Sequence, residues 1–68
     1  MISLQVNGRR VEVVAPLTVL AYLEELGTNP LGVAVEVDGV IIDRESYATT
    51  TLGAGAEVEI VRMVGGGW

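Results

Sequence analysis

The dipeptide Asn7-Gly8 constrains the fold of this chain more than any other short stretch, because it stands between two runs of alternating apolar and polar residues. A two-residue type I′ turn requires positive φ at both central positions, and asparagine and glycine tolerate that conformation. The apolar residues occupy every second position on either side of the turn: Ile2, Leu4, Val6, Val11 and Val13. This period is typical of half-buried strands. The sequence therefore predicts a β-hairpin that ends before Pro16, which has no N–H to donate to a ladder.

A short helix is predicted next. Thr18 is placed to cap its first turn, since the hydroxyl can accept from a free backbone N–H. The apolar residues that follow have helical spacing: Val19, Leu20, Leu23 and Leu26. Gly27 suits the position after a helix end, and Asn29-Pro30 prevents continuation. We therefore expect a helix over about residues 19–26, with Glu24 and Glu25 facing water and Tyr22 at the edge of the core.

The second half of the chain contains further strand patterns. Valines alternate with other residues over 33–37, Asp38-Gly39 is a second tight-turn signal, and a short apolar stretch follows at 40–42. Residues 43–52 show no clean period, so we predict a loop with a helical turn near 44–47 and with Thr49, Thr50 and Thr51 in the loop. After a turn at 53–55, Val58 and Ile60 alternate with Glu57 and Glu59 in a last strand that runs to about Met63.

The predicted order is hairpin, helix, strand, short strand and strand. One helix packed across one face of a mixed four- to five-stranded sheet buries these apolar faces most economically. The last strand is expected to lie parallel to the first at the centre of the sheet. We therefore predict an α+β fold of the ubiquitin-like β-grasp type over residues 1–63, followed by a flexible glycine-rich tail over residues 64–68.

Composition excludes several classes of function. The 68 residues include no cysteine and no histidine, which removes thiolate chemistry, the commonest general base and the commonest zinc ligands. A formal net charge of −5 disfavours nucleic acid and anionic membranes, and it suits a basic partner protein. No apolar run approaches the ~20 residues of a membrane span. We expect a cytoplasmic protein with no metal and no bound cofactor.

The chain ends in Val64-Gly65-Gly66-Gly67-Trp68. Ordering this segment would lower the stability of the fold, because glycine loses more backbone freedom on ordering than any other residue. Three glycines offer instead a thin strip of backbone able to enter a narrow channel. One hypothesis is that the chemistry occurs on the main-chain carboxylate; the alternative is a frayed tail without function. Val61 and Met63 are expected to project from the open sheet face just before the tail, rimmed by acids, as a docking patch.

The chain resembles the bacterial sulfur-carrier proteins of thiamine biosynthesis, the ThiS-like relatives of ubiquitin. The resemblance covers nearly the whole chain and lies in the following stretches: Asn7-Gly8, Thr18-Val19, residues 33–38, 42–47 and 52–61, and the glycine tail. Each stretch is weak by itself, and their order and spacing within so short a chain make the match specific.

The resemblance implies a protein co-substrate rather than an enzyme. In the family, a ubiquitin-activating-like adenylyltransferase uses ATP to adenylate the final glycine carboxylate. A persulfide donor then supplies sulfur to form a thiocarboxylate, which a thiazole synthase incorporates into the thiazole ring of thiamine. Gly66-Gly67 match the terminal pair of the family, and Gly67 would carry the thiocarboxylate. The approach to it is matched by Arg62, Met63, Val64 and Gly65. The expected partner-binding residues are Val61, Arg62, Met63 and Val64.

Two positions depart from the family pattern. Tyr47 stands where many relatives have tryptophan, a mild change if the side chain packs in the core. Trp68 extends the chain one residue past the usual Gly-Gly end, so that Gly67 has no free carboxylate. A peptidase that removes Trp68 is the preferred hypothesis. The alternatives are a partner enzyme that accepts Trp68, and a chain that has left sulfur transfer to become a binding module.

Other functions stay open at this point. The same chemistry could deliver sulfur to molybdopterin, cysteine or homocysteine, and β-grasp domains also serve as plain interaction modules. An enzyme is least favoured, because Glu57 and Glu59 on an open sheet face are usually solvated charge. Arg44 either pins the irregular loop through backbone carbonyls or contacts a partner.

Overall fold

A computed structural model of the chain describes residues 1–63. The predictions for Val64, the three tail glycines and Trp68 lie outside the described residues. In chain order the strands are β1 (Ile2–Val6), β2 (Arg9–Val13), β3 (Leu17–Thr18), β4 (Val33–Val37), β5 (Val40–Ile41), β6 (Thr51–Leu52) and β7 (Glu57–Arg62). One helix, α1, spans Val19–Glu25, and two 3₁₀ turns span Pro30–Gly32 and Arg44–Ser46.

The main sheet has five strands in the order β2-β1-β7-β4-β5. β7 lies at its centre, parallel to β1 and antiparallel to β4. The predicted mixed sheet, with the last strand parallel to the first at its centre and one helix on one face, is confirmed. The chain has the ubiquitin-like β-grasp fold.

Both predicted tight turns adopt the left-handed backbone that their residues favour. Asn7 and Gly8 have φ of 52° and 81°, and Asp38 and Gly39 have φ of 51° and 85°. These dihedrals suit a two-residue hairpin turn whose twist matches the flanking strands. Local turn chemistry therefore determines both hairpins of the sheet.

The ends of α1 follow from its sequence. The Thr18 hydroxyl accepts from the Ala21 N–H at 3.0 Å. At the other end Gly27 has φ of 70°, and its N–H donates to the Glu24 carbonyl while Thr28 N–H donates to the Leu23 carbonyl. This pair of bonds is a Schellman motif, which satisfies carbonyls that the helix leaves free. The helix thus ends one residue before the predicted position.

The core lies between α1 and one face of the sheet. Its buried side chains are Leu4, Val13, Val19, Tyr22, Leu23, Val33, Val35, Tyr47, Leu52, Ala56 and Val58. The helix contributes differently from the prediction: Tyr22 is buried within the core rather than at its edge, whereas Leu26 is 50% exposed. Leu26 is the C-cap residue, beyond the last helical residue, where the chain turns away from the sheet.

The prediction that residues 43–52 form a loop is wrong at its end. Thr51 and Leu52 form β6, which pairs with β3 in a separate two-stranded sheet, and Leu52 is fully buried. Two residues are too few to show a period, so sequence alone did not reveal this strand. Thr49 and Thr50 stay outside it, and their hydroxyls donate to the Ser46 carbonyl.

The remaining irregular segments are held by specific hydrogen bonds. The predicted helical turn near residue 44 is the 3₁₀ turn Arg44–Ser46. Arg44 Nη2 lies 3.4 Å from the Leu31 carbonyl oxygen, which favours the loop-pinning role over the partner contact. Tyr47 is buried, as a packing role requires, and its hydroxyl is 3.5 Å from the Val33 carbonyl. No helix among the described residues is long and apolar enough to span a bilayer.

Tyr22→Phe tests the burial of this tyrosine through alkaline stability. Burial, and then the charge of Glu25, raise the pKa of Tyr22 above the ordinary value of a tyrosine phenol. The unfolded chain therefore loses this proton more readily than the folded one, so the free energy of unfolding falls as pH rises through about 10. We expect Tyr22→Phe to make that fall shallower between pH 9 and 11 in urea titrations, with a small effect at pH 7. Equal slopes for the variant and the wild type would contradict the burial of the phenol.

Candidate functional site

The chain leaves the sheet from the end of its central strand. Arg62, the last residue of β7, pairs with Val33, and the Met63 N–H donates to the Gly32 carbonyl at 2.9 Å. The segment that leads to residues 64–68 is thus held against the beginning of β4. Arg62 and Met63 lie at this exit, and their predicted role as the approach to Gly67 stays a prediction; Val64 and the glycines lie outside the described residues.

An apolar patch lies on the open face of the sheet next to the exit. Val58 of β7 points into the core, whereas Val61 is on the other face and is 59% exposed. Val61 pairs across the ladder with Ala34, which is also exposed. Ile41 of β5, 73% exposed, lies on the same face because it pairs with Glu36, two residues along β4 from Ala34. We call Ala34, Ile41 and Val61 the open-face patch.

Sequence reasoning singled out Val61 in this patch and missed Ala34 and Ile41. Their alternation within β4 and β5 was visible, but the pairing register that brings them beside Val61 was not. Met63 is 37% exposed and follows the last residue of β7. The role of Val61, Arg62 and Met63 in binding a partner stays a prediction.

Acidic residues border the open-face patch. Glu36 of β4 lies directly opposite Glu59 of β7, and Glu57 is on the same face. Like charges directly opposite one another destabilise a sheet. The only ion pair among residues 1–63 joins Arg10 to Glu12 at 3.3 Å, so no cation neutralises the carboxylates of Glu36 and Glu59 within this part of the chain. The open face thus combines exposed apolar groups with uncompensated negative charge.

A groove of about 440 Å³ lies at the exit, on the side of the helix. It exists because α1 ends at its Schellman motif and the chain returns through the 3₁₀ turn Pro30–Gly32 before entering β4. Its lining residues are Leu26, Gly27, Thr28, Asn29, Gly32, Val33, Arg62 and Met63. Exposed side chains therefore flank the exit on both sides of the sheet.

A shallow depression of about 330 Å³ is lined by Gln5, Gly8, Glu57 and Glu59. It contains two exposed carboxylates, with no nucleophile and no basic group among its lining residues. Over residues 1–63, no group of three or more acidic, cysteine or histidine side chains could hold a metal ion.

The pair Glu36 and Glu59 predicts a measurable stability effect. We expect Glu36→Gln to raise the free energy of unfolding by about 0.2–1 kcal/mol, because it removes the repulsion between carboxylates on paired residues. The difference should shrink in 1 M NaCl, where the Debye length falls to about 3 Å. Urea unfolding at low and high salt measures both values.

Glu12→Gln is the matched control, since Glu12 is also a strand glutamate but pairs with Arg10. This variant should leave stability unchanged or lower it slightly. A loss of stability in Glu36→Gln as large as that in Glu12→Gln would show that Glu36 and Glu59 do not repel each other.

Comparison with known proteins gives a consistent set of relatives. The family model described as "ThiS family" matches residues 4–67. A thiazole synthase from Paramagnetospirillum magneticum is 40% identical over 65 residues, which cover 96% of this chain and 20% of that protein. The chain thus spans about a fifth of the length of that relative. The uncharacterized protein ycf40 from Porphyra purpurea is 30% identical over 66 residues, covering 97% of this chain and 93% of that protein.

Solved structures agree with these relatives. The crystal structure of a thiamine biosynthesis protein (ThiS) from Geobacter metallireducens superposes with a TM-score of 0.85 at 33% identity. The match covers 97% of this chain and 100% of that one. An NMR structure of a thiamine biosynthesis protein from the same organism superposes with a TM-score of 0.79 at 33% identity, covering 98% of this chain and 90% of that one.

Proposed function

Since this chain belongs to the ThiS family, we propose that it is a sulfur carrier of thiamine biosynthesis, a protein co-substrate that reacts at the acyl end of its glycines. The family resemblance seen in the sequence is confirmed by the match over residues 4–67. That match is the observation that carries the proposal, because it extends through Gly66 and Gly67 and leaves out Trp68. The partners and chemistry below follow from this membership and from the residues present.

The chemistry proposed for Gly67 is acyl activation. Its carboxylate attacks ATP in the adenylyltransferase, which forms an acyl-adenylate and releases pyrophosphate. The terminal sulfur of a persulfide displaces AMP, and a second thiol cleaves the resulting acyl disulfide to leave a thiocarboxylate. Glycine suits this position because it has no Cβ to hinder attack at the carbonyl carbon. ATP is a substrate of the partner enzyme, so the carrier itself needs no bound cofactor.

The thiazole synthase from Paramagnetospirillum magneticum favours thiazole formation over molybdopterin, cysteine or homocysteine as the destination of the sulfur. A stretch of that protein is 40% identical to this chain. A carrier-like stretch within a protein of that name supports a thiazole synthase as the enzyme that takes sulfur from Gly67.

Trp68 has to be removed in this proposal, because an amide at Gly67 has no carboxylate to adenylate. We propose that a peptidase cleaves the Gly67–Trp68 bond. Incubation with ATP and the cognate adenylyltransferase tests this directly. The form that ends at Gly67 should release pyrophosphate, and the full-length chain should not.

Two further forms control this experiment. A form that ends at Gly66 controls for length, and Gly67→Val in the shortened form controls for the requirement for glycine; both should fold and both should lose activity. Mass spectrometry of protein from its native cell should show loss of one tryptophan residue and exchange of oxygen for sulfur. Intact Trp68 on all of the native protein would overturn the processing step.

The partner surface proposed for the adenylyltransferase is the open-face patch with its acidic border. The patch is next to the exit of the tail, and its exposed Val61 and Ile41 present apolar surface for burial in a complex. The uncompensated carboxylates of Glu36 and Glu59 favour a partner surface that carries basic residues.

Val61→Asp tests this surface. The substitution adds a desolvated charge to the complex and should weaken binding to the adenylyltransferase by about tenfold or more, equivalent to ~1.4 kcal/mol. Val14→Asp is the matched control, because Val14 is 82% exposed and follows β2, away from the exit. Calorimetric titration gives both dissociation constants, and circular dichroism checks both folds. Equal affinities for the two variants would place the interface elsewhere.

A further inference from the structure

Both hairpin turns of the main sheet contact the central strand through the side chain of their first residue. Asn7 Oδ1 accepts from the Ile60 N–H at 2.7 Å, and Asn7 Nδ2 donates to the Ile60 carbonyl at 3.1 Å. Asp38 Oδ1 accepts from the Glu57 N–H at 2.9 Å. Asn7 and Asp38 have nearly equal φ, 52° and 51°. The two turns thus hold β7 at different points along its length, Asp38 at its first residue and Asn7 near its end.

Asn7 makes the last hydrogen bonds that hold β7 on its β1 side. The backbone of β1 pairs with β7 at Gln5 and Val6, and the Asn7 N–H donates to the Val58 carbonyl at 2.8 Å. The chain then turns back at Gly8, so no backbone of β1 remains to meet Ile60. The Asn7 amide, with one donor group and one acceptor group, bonds both backbone groups of Ile60 as a peptide would.

Beyond Ile60, the contacts of the described residues come from the β4 side. Val61 pairs with Ala34, and the Met63 N–H donates to the Gly32 carbonyl. Ile60 is therefore the last residue at which β7 is held from the β1 side before the chain leaves the sheet. Val61, Arg62 and Met63 are held from the β4 side, so the bonds to Ile60 complete the hold on this end of the strand from the other side.

The hairpin itself does not need the asparagine amide. The turn requires positive φ, which glycine adopts without strain. Asp38 also has a left-handed backbone conformation. Its carboxylate accepts a hydrogen bond but, when ionised, has no proton to donate to a carbonyl. Asparagine combines the turn conformation with a donor and an acceptor, and at position 7 all three are used.

We propose that Asn7 is a positioning residue for acyl activation: by bonding both backbone groups of Ile60, it holds from the β1 side the end of β7, after which the chain leaves the sheet. This inference rests on the proposed function. An acyl end that must reach ATP inside a partner enzyme binds more weakly when the root of its tail is free to move, because that freedom is lost on binding. Weaker binding raises the Michaelis constant for the carrier and leaves the turnover number unchanged.

The test is Asn7→Gly in the form that ends at Gly67, with Asp38→Gly as the matched control. Both variants keep the positive φ, and both remove a side chain that bonds the backbone of β7. Asn7→Gly should raise KM for the carrier in ATP–pyrophosphate exchange by about 3- to 10-fold, with kcat within about twofold. Asp38→Gly should leave both constants within about twofold. Amide hydrogen exchange should accelerate at Ile60 in the first variant and at Glu57 in the second.

Asn7→Asp carries the test if Asn7→Gly does not fold. This variant keeps the acceptor for the Ile60 N–H and loses the donor to the Ile60 carbonyl. Its KM should therefore lie between those of the wild type and Asn7→Gly. If Asn7→Gly gives no data, the KM of Asn7→Asp should still exceed the wild-type value. Wild-type turnover with equal KM for the Asn7 and Asp38 variants would overturn this inference alone. Absence of pyrophosphate release by the wild-type form ending at Gly67 would overturn the proposed function and this inference with it.

Discussion

The pairing of β7 on both sides is the constraint on which the rest of the structure depends. β7 is parallel to β1 and antiparallel to β4, so the strand that leads to the C-terminal residues is also the centre of the sheet. A central strand is the part of a sheet that opens least readily, because separating it breaks two ladders. The reactive end proposed for this chain is therefore attached to its most firmly held element.

The single helix divides the surface of the sheet into two unlike faces. Residues such as Leu4, Val35 and Val58 are buried beneath α1, with exposures of about one per cent each. With one short helix to cover it, the sheet keeps its other face open, and there Val61 and Ile41 remain exposed beside Glu36 and Glu59. The described residues thus present an exposed surface beside the point where the chain leaves the sheet, which fits the protein contacts proposed for this chain.

The proposed chemistry separates the reactive group from the folded domain. In the proposal, the value of the tail glycines is a backbone without side chains at the acyl carbon. Under this proposal the partner enzymes supply the catalytic groups, which is compatible with a chain that has no histidine, cysteine or lysine. The folded domain would supply recognition, and Asn7 bonds the hairpin turn to β7 at Ile60, near the point where the chain leaves the sheet.

Much of the fold could be read from the sequence because its signals are local. Asn7-Gly8 and Asp38-Gly39 determined two turns, Thr18 and Gly27 determined the ends of α1, and the alternation in β1, β4 and β7 determined which residues face the core. The hypothesis of a reactive glycine tail also came from residue type and order, and it stays a prediction. Family resemblance extended these local readings to a function.

The tertiary structure alone decided what depends on register between distant segments. The pairing of β6 with β3, the burial of Tyr22 in place of Leu26 and the position of Glu36 opposite Glu59 had no local signal. Asn7 and Ile60 are 53 positions apart in the chain, and the side-chain bonds between them exist only once β1 and β7 are paired. Alternation of apolar and polar residues assigns each residue to one face of the sheet. Its neighbour on the adjacent strand depends on the pairing register, which is established only when the whole sheet is assembled.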